Sequence, residues 1–224
     1  MKNFLTNNKN LLIGAFVGFL LVLAISSLVI EKRLSVHKTL LDDKIAEQVK
    51  SLGDLAIVTG RGASNDRAEI LVKECRSDER SEFEALLASL NSELNKYELS
   101  RLTNLFSNCG HVFANRRTSM YLQMQDEFNE LESLVQIRKQ FEDYDETTIN
   151  YGKWEELVEN EAEISKIFQD MVRVQGEIIS VLLSGKNVNS EEVNNLLKEA
   201  QEIKTKLGEA TERASSIRVS LIST

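Results

Sequence analysis

Residues 193–221 read VNNLLKEAQEIKTKLGEATERASSIRVSL, and this stretch decides the fold. Apolar residues recur in it at alternating steps of three and four, the spacing of a helix that buries one face. The core positions are Val193, Leu196, Ala200, Ile203, Leu207, Ala210, Ala214, Ile217 and Leu221. An unbroken run of apolar heptad positions predicts coiled-coil-like packing.

A second stripe of the same spacing precedes it, separated by the turn sequence Ser184-Gly185-Lys186-Asn187. Its members are Leu157, Glu161, Ile164, Phe168, Met171, Gln175, Ile178 and Leu182. Folding the chain at the turn sets Met171 opposite Ile203, Ile178 opposite Leu196, and Ile164 opposite Ala210. The polar Glu161 and Gln175 then face the small residues Ala214 and Ala200. We therefore expect an antiparallel coiled-coil hairpin over residues 152–222, with pairing between two copies of the chain as the alternative.

Composition also favours helices. The 224 residues contain no proline and only 10 glycines, whereas average usage would give roughly 11 prolines. No Gly-rich turn follows a strand-like run, so a dinucleotide-binding α/β fold is not expected. The prediction is an all-α protein, in which an N-terminal membrane helix leads into an elongated bundle of helical hairpins.

Residues 11–30 read LLIGAFVGFLLVLAISSLVI, 20 residues without a charge. A helix of that length spans about 30 Å, the thickness of the hydrocarbon core. After a polar tail over residues 1–10, this stretch predicts a retained, single-pass transmembrane anchor in the lipid bilayer. A cleaved signal peptide is the alternative, but its apolar region is shorter, about 7–15 residues. Gly14 and Gly18 form a GxxxG pair, which predicts either a homodimer face or a spacing that arose by chance.

The distribution of charged residues bears on the orientation of the protein in the membrane and on the partners it can bind. Lys2 and Lys9 precede the anchor, while four basic residues follow it closely, so the positive-inside rule weakly favours a cytoplasmic soluble part. After residue 30 the chain has 25 basic and 35 acidic residues, a formal charge of −10. Nucleic acid is therefore not an expected partner, because its binding needs clustered positive charge.

Between the anchor and the C-terminal hairpin, two further segments are helical in pattern. A juxtamembrane helix is expected over residues 31–59, and His37 on its stripe is interpreted as a tolerated polar residue. A helical hairpin is expected over residues 65–142, with a capping box at Asn95 and Glu98 and a local bend at Gly110. Arg116 and Arg117 are interpreted as surface residues paired with acidic residues of their own helix. Binding of an anionic ligand and a position at a helix interface are the alternatives.

The two cysteines, Cys75 and Cys109, lie 17 residues on either side of Ser92, the centre of the predicted turn in this hairpin. Residues equidistant from a turn lie side by side in an antiparallel hairpin, so the two cysteines are candidates for a disulfide. Stable disulfides belong to oxidising compartments, which favours an extracytoplasmic soluble part. Two buried, reduced cysteines are the alternative.

Neither a phosphate-binding loop nor a hydrolase, metalloprotease or CxxC motif is present, and no catalytic, metal-binding or cofactor-binding residue is predicted. We expect a membrane-anchored, extracytoplasmic helical scaffold that binds partner proteins and is not an enzyme. The alternatives are a sensor-like module that binds a ligand near Glu161, Gln175 and His37, and a scaffold that faces the cytoplasm.

Overall fold

The computed structural model describes the backbone of residues 2–60, 75, 77–89, 94–141 and 143–222, and over these residues the protein is all-α, with no strand. Its helices are α1 (Lys2–Gly60), α2 (Ser77–Ala88), α3 (Lys96–Leu105), α4 (His111–Arg138), α5 (Tyr151–Leu183) and α6 (Glu191–Ile222). A π-helical segment, Phe106–Gly110, joins α3 to α4, and a 3-10 turn, Glu146–Ile149, precedes α5. The predicted all-α class is confirmed.

Helix α1 is 59 residues long, which corresponds to about 88 Å. Among the side chains of α1 that the structure describes, Leu41 is the first buried one, whereas Phe19, Ile30 and Leu34 are exposed. Most side chains of residues 11–25 lie outside those that the structure describes, and these include the helix face around Gly14 and Gly18. Over the described residues, no helix is both long enough and apolar enough to cross a membrane. The transmembrane anchor therefore stays a prediction.

The C-terminal half of α1 packs antiparallel to α4. Three polar contacts fix the direction: Asp42 with Arg138, Gln48 with Glu127, and Thr59 with Arg117. Between them, Ile45, Leu52 and Ala56 enter a single apolar cluster that also contains residues of α4, α5 and α6. Each fully buried leucine or isoleucine contributes about 1.5–3 kcal/mol to such a core.

Helices α5 and α6 form the antiparallel hairpin that the two stripes predict. Arg173 pairs with Glu199, and Arg213 pairs with Glu163 at 2.6 Å, so both ion pairs fall within two residues of the predicted register. Of the predicted core positions, Ile164, Ile178 and Ile203 are buried. Phe168, Met171, Leu196 and Leu207 are partly buried against the same cluster. The hairpin closes within one chain around the turn at Gly185, which has a φ of +85°.

Cys75 and Cys109 form a disulfide with Cα atoms 5.0 Å apart, within the range that a disulfide requires. Arg101 of α3 pairs with Glu82 of α2 at 2.7 Å in the same antiparallel register. The capping box at Asn95 and Glu98 is confirmed, since each residue accepts a hydrogen bond from the backbone of the other. Residues 61–74, where the predicted hairpin begins, lie outside the described part.

Gly110, where a local bend was predicted, is the last residue of the π-helical segment. A Cβ atom on Gly110 would lie 2.6 Å from Cδ2 of Phe106, and one on Gly176 of α5 would lie 3.2 Å from its Cζ. The Phe106 ring therefore occupies the space beside two glycines. The π segment has Cys109 fully buried, in its disulfide with Cys75.

Candidate functional site

The most unusual feature of the described core is a buried cluster of charges formed by Arg117, Glu161 and Arg218. Glu161 of α5 is completely buried. Arg117 of α4 donates to its Oε2 through Nη2, and Arg218 of α6 donates to its Oε1 through Nη2. We call these three residues the charge cluster. It joins three helices at one carboxylate.

The sequence pattern explains why Glu161 lies in the core. Glu161 occupies a heptad position between Leu157 and Ile164, both of which are fully or almost fully buried. A carboxylate at such a position must be paired, because an isolated buried charge costs several kcal/mol. The predicted register placed the small Ala214 opposite Glu161. Ala214 is fully buried, and Arg218, one helical turn further along α6, brings its guanidinium to the carboxylate.

The C-terminal end of α1 completes the surroundings of the cluster. Nη1 of Arg117 donates to the Thr59 carbonyl at 3.3 Å. Gly60 packs against Arg218 so closely that a Cβ atom there would lie 2.9 Å from Cδ of the arginine. The last carbonyls of a helix have no partner within it and carry the negative end of the helix dipole. Two guanidinium groups at this end therefore satisfy one of these carbonyls and complement the dipole.

The cluster contains two positive charges and one negative charge. Burial lowers the pKa of Arg117 to about 10. Burial and the nearby charge of Arg117 lower the pKa of Arg218 to about 10 as well. Both guanidinium groups therefore keep their charge at neutral pH. Within the described residues, Nε of each arginine has no hydrogen-bond partner. The end of α1 offsets part of this excess positive charge.

Further polar contacts surround the cluster. Thr118 and Ser165 share a hydrogen bond of 2.9 Å between α4 and α5. Nδ2 of Asn160 donates to the Ala210 carbonyl of α6 at 2.8 Å. Polar contacts thus join α1, α4, α5 and α6 to one another at about the level of the charge cluster.

A second charged group joins the other end of the α1–α4 pair to the loop after α4. Nε of Arg138 donates to Asp42 at 2.8 Å, and its Nη1 donates to Asp143 at 2.9 Å. Lys38 also reaches Asp143, at 3.0 Å. Hydrogen bonds first from Lys38 and then from Arg138 lower the pKa of Asp143 to about 2.

The interpretation of Arg117 as a surface residue paired within its own helix was wrong, because Arg117 bridges three helices. Arg138 and Arg218 were missed altogether. The one sequence signal that could have found Arg117 and Arg218 is the carboxylate of Glu161 in an otherwise apolar stripe, which demands a buried cation. That signal does not reveal which arginine supplies it.

The residues of the ligand-binding alternative do not share a pocket. Glu161 is enclosed by the two arginines, Gln175 is half-buried on α5, and His37 is exposed on α1. The described part of the chain holds no group of three or more His, Cys, Asp or Glu residues that could bind a metal ion.

Comparison with known proteins adds no family to this picture. No protein-family model, curated protein or solved structure matches the chain. Function must therefore be argued from the residues alone.

Proposed function

We propose that this protein is a membrane-anchored, extracytoplasmic helical scaffold that binds partner proteins and has no catalytic activity. The observation that carries the proposal is the continuity of α1, a single helix from Lys2 to Gly60. Its N-terminal half includes the uncharged stretch 11–30, and its C-terminal half packs in the bundle. One unbroken helix would hold the bundle at a fixed distance from the membrane.

The exposed side chains of α1 agree with this arrangement. Phe19, Val22 and Leu23 are 60%, 61% and 49% exposed. Exposed apolar residues on consecutive turns are unfavourable in water and favourable in a bilayer. The bundle begins at Leu41, which leaves ten residues, or about 15 Å of helix, between Ile30 and the first buried side chain.

Two observations support an interaction role over a ligand-binding role. The buried charges of Arg117, Glu161 and Arg218 pair with one another and with the end of α1, and so hold helices together. The acidic surface, with a formal charge of −10 after residue 30, suits partners with a basic face. A homodimer through the face of Gly14 and Gly18 is an additional partner that the sequence suggests.

Membrane partition of the full-length chain tests the anchor. Phe19→Arg combined with Leu23→Arg places two charges in the apolar stretch, each costing about 2.5–3.5 kcal/mol at the centre of a bilayer. We expect this variant to leave the membrane fraction after alkaline extraction. Val36→Arg with Leu40→Arg is the matched control, since these residues have the same spacing and are also exposed on α1. Equal retention of both variants would refute the anchor.

Thiol labelling in intact cells tests the orientation. The cells are acidified to stop thiol–disulfide exchange, and the proteins are then labelled with a bulky maleimide, with and without prior reduction. Labelling of Cys75 and Cys109 only after reduction supports an extracytoplasmic bundle, because stable disulfides form in oxidising compartments. Free labelling without reduction would contradict it and favour the cytoplasm-facing scaffold.

A further inference from the structure

The buried face of α1 repeats with a period of seven residues, so it has a second arrangement of nearly equal apolar character. The buried residues are Leu41, Ile45, Gln48, Leu52, Ala56 and Thr59. A displacement by one heptad toward the C-terminal end of α1 would put Leu34, Lys38, Leu41, Ile45, Val49 and Leu52 in their places. Five of these six are apolar, whereas the described face has four apolar residues. The sixth, Lys38, would take the place of Ile45, so its stem would be buried and its ammonium group would have to reach the surface. Apolar packing alone therefore does not exclude a register that differs by about 10 Å along the helix axis.

Displacement in the opposite direction is unfavourable. It would place Gln48 where Leu41 is buried and Thr59 where Leu52 is fully buried. Burying polar groups without partners costs roughly 1–3 kcal/mol each. Only the displacement toward the C-terminal end of α1 therefore competes with the described register.

The glycines of α1 agree with a heptad displacement. At Gly60 a Cβ atom would lie 2.9 Å from Cδ of Arg218, so the close contact needs a glycine. Gly53 lies seven residues earlier and has no atom within 4 Å of where its Cβ would be. In the displaced register Gly53 would take the place of Gly60 beside Arg218. A glycine inside a helix is unfavourable by roughly 0.5–1 kcal/mol, and the described packing gives Gly53 no reason to be one.

The charge cluster distinguishes the two registers. In the described register Arg117 donates to the Thr59 carbonyl, which belongs to the last turn of α1. In the displaced register Leu52 would present a carbonyl that is already bonded inside the helix. Arg117 would then lose its helix-end acceptor, and both arginines would lose the negative end of the dipole.

From these observations we infer that the charge cluster is a register lock. It holds α1 in the described register against a second register displaced by seven residues, in which Gly53 lies beside Arg218. Buried polar groups that specify register among nearly equivalent helix packings are the best attested use of such groups. If α1 is anchored as proposed above, the displacement would bring the bundle about 10 Å closer to the membrane.

Distance measurement by double electron–electron resonance tests this inference in the full-length chain in detergent micelles. Spin labels are placed at Asp43→Cys on α1 and Asn115→Cys on α4, both exposed positions. The two native cysteines stay in their disulfide and do not react. A control pair, Lys166→Cys and Lys206→Cys, reports whether the α5–α6 hairpin stays folded.

With the cluster intact we expect one distance between positions 43 and 115. In the variant with Arg117→Met, Glu161→Leu and Arg218→Met, we expect a second population, shorter by about 10 Å, with the control distance unchanged. Adding Gly53→Leu should abolish the second population, because in the displaced register the leucine would overlap the buried methionine at position 218, whose chain is about as long as the arginine stem.

A single distance at the original value, with the control pair unchanged, would overturn the inference. If the triple variant loses the control distance, the same labels are measured in the single variant Arg117→Met, which removes the donor to the Thr59 carbonyl and leaves Glu161 paired with Arg218. The second population must then appear in that variant, and its absence overturns the inference equally. Neither result depends on whether the chain is anchored in a membrane.

Discussion

Gly60 of α1 and Arg218 of α6 lie in such close contact that a Cβ atom on residue 60 would be 2.9 Å from Cδ of the arginine. The absence of a side chain at Gly60 lets the end of α1 approach a buried guanidinium group. The same group donates to Glu161, so the contact connects the first helix of the chain to the C-terminal hairpin. The close contact at Gly60 therefore lies where the charges of Arg117, Glu161 and Arg218 meet.

Alanine substitutions at the two glycines of α1 should have opposite effects. Gly60→Ala should lower the free energy of unfolding by about 1–3 kcal/mol, because the new methyl group overpacks against the buried Arg218. Gly53→Ala should raise it by about 0.5–1 kcal/mol, because the site has open space and alanine is the better helix former. Urea unfolding followed by circular dichroism measures both. A Gly60→Ala variant as stable as the parent chain, or more stable, would show that the Gly60 contact is absent.

Breaking the charge cluster should cost more than removing it. Glu161→Leu leaves two buried guanidinium groups without their carboxylate and should lower the free energy of unfolding by about 3–5 kcal/mol. The triple variant Arg117→Met, Glu161→Leu, Arg218→Met should be more stable than this single variant, because no buried charge is left unpaired. A triple variant less stable than Glu161→Leu would contradict the assignment of the three residues to one cluster.

The sequence predicted the helices of this protein better than it predicted their polar contacts. The register of the α5–α6 hairpin could be predicted from the apolar spacing. The heptad positions of the two helices face one another, whichever polar residues separate those positions along the chain. Glu161 was placed in the core by the same pattern. Arg218 was not, because it follows the stripe residue Ile217 by one position and reaches inward through its long side chain. Periodicity shows which face of a helix a residue occupies, but it does not show where the end of a long, flexible side chain lies.

Stability should fall in acid through Asp143. Lys38 and Arg138 lower the pKa of this carboxyl to about 2, below the value of about 3.9 in an unfolded chain. Its contribution to stability is therefore complete above about pH 4 and is lost as the pH falls toward 2. Asp143→Asn should remove that part of the acid dependence, measured as the melting temperature between pH 5 and pH 2. Asp43→Asn, an exposed carboxylate on α1, serves as the control and should leave the profile as in the parent chain.

The π-helical segment should not tolerate a side chain at Gly110. A Cβ atom there would lie 2.6 Å from the ring of Phe106, so Gly110→Ala should destabilise the fold by about 1–3 kcal/mol. Combining it with Phe106→Leu, which shortens the opposing side chain, should cost less than the sum of the two single effects. Gly208→Ala is the control, since no atom lies within 4 Å of that Cβ position. Additive effects at Gly110 and Phe106 would argue against this contact.

Reduction of the Cys75–Cys109 disulfide should destabilise the chain. The two cysteines are 34 residues apart, and closing a loop of that size contributes roughly 3–4 kcal/mol in the chain-entropy model. Urea midpoints with and without a reductant measure the effect. The double variant Cys75→Ser, Cys109→Ser should match the reduced parent and be insensitive to the reductant. An unchanged midpoint on reduction would mean that the disulfide does not constrain this fold.

The central claim is that one rigid helix connects the apolar stretch to the bundle, and a long-range distance tests it most directly. Spin labels at Glu31→Cys and Asn115→Cys, on the full-length chain in lipid nanodiscs, report across the exposed part of α1. Because Asn115 lies near the level of the end of α1, an unbroken helix predicts a narrow distribution centred near about 45 Å. A broad distribution at clearly shorter distances would show that α1 is interrupted between Glu31 and Leu41, and would contradict the account.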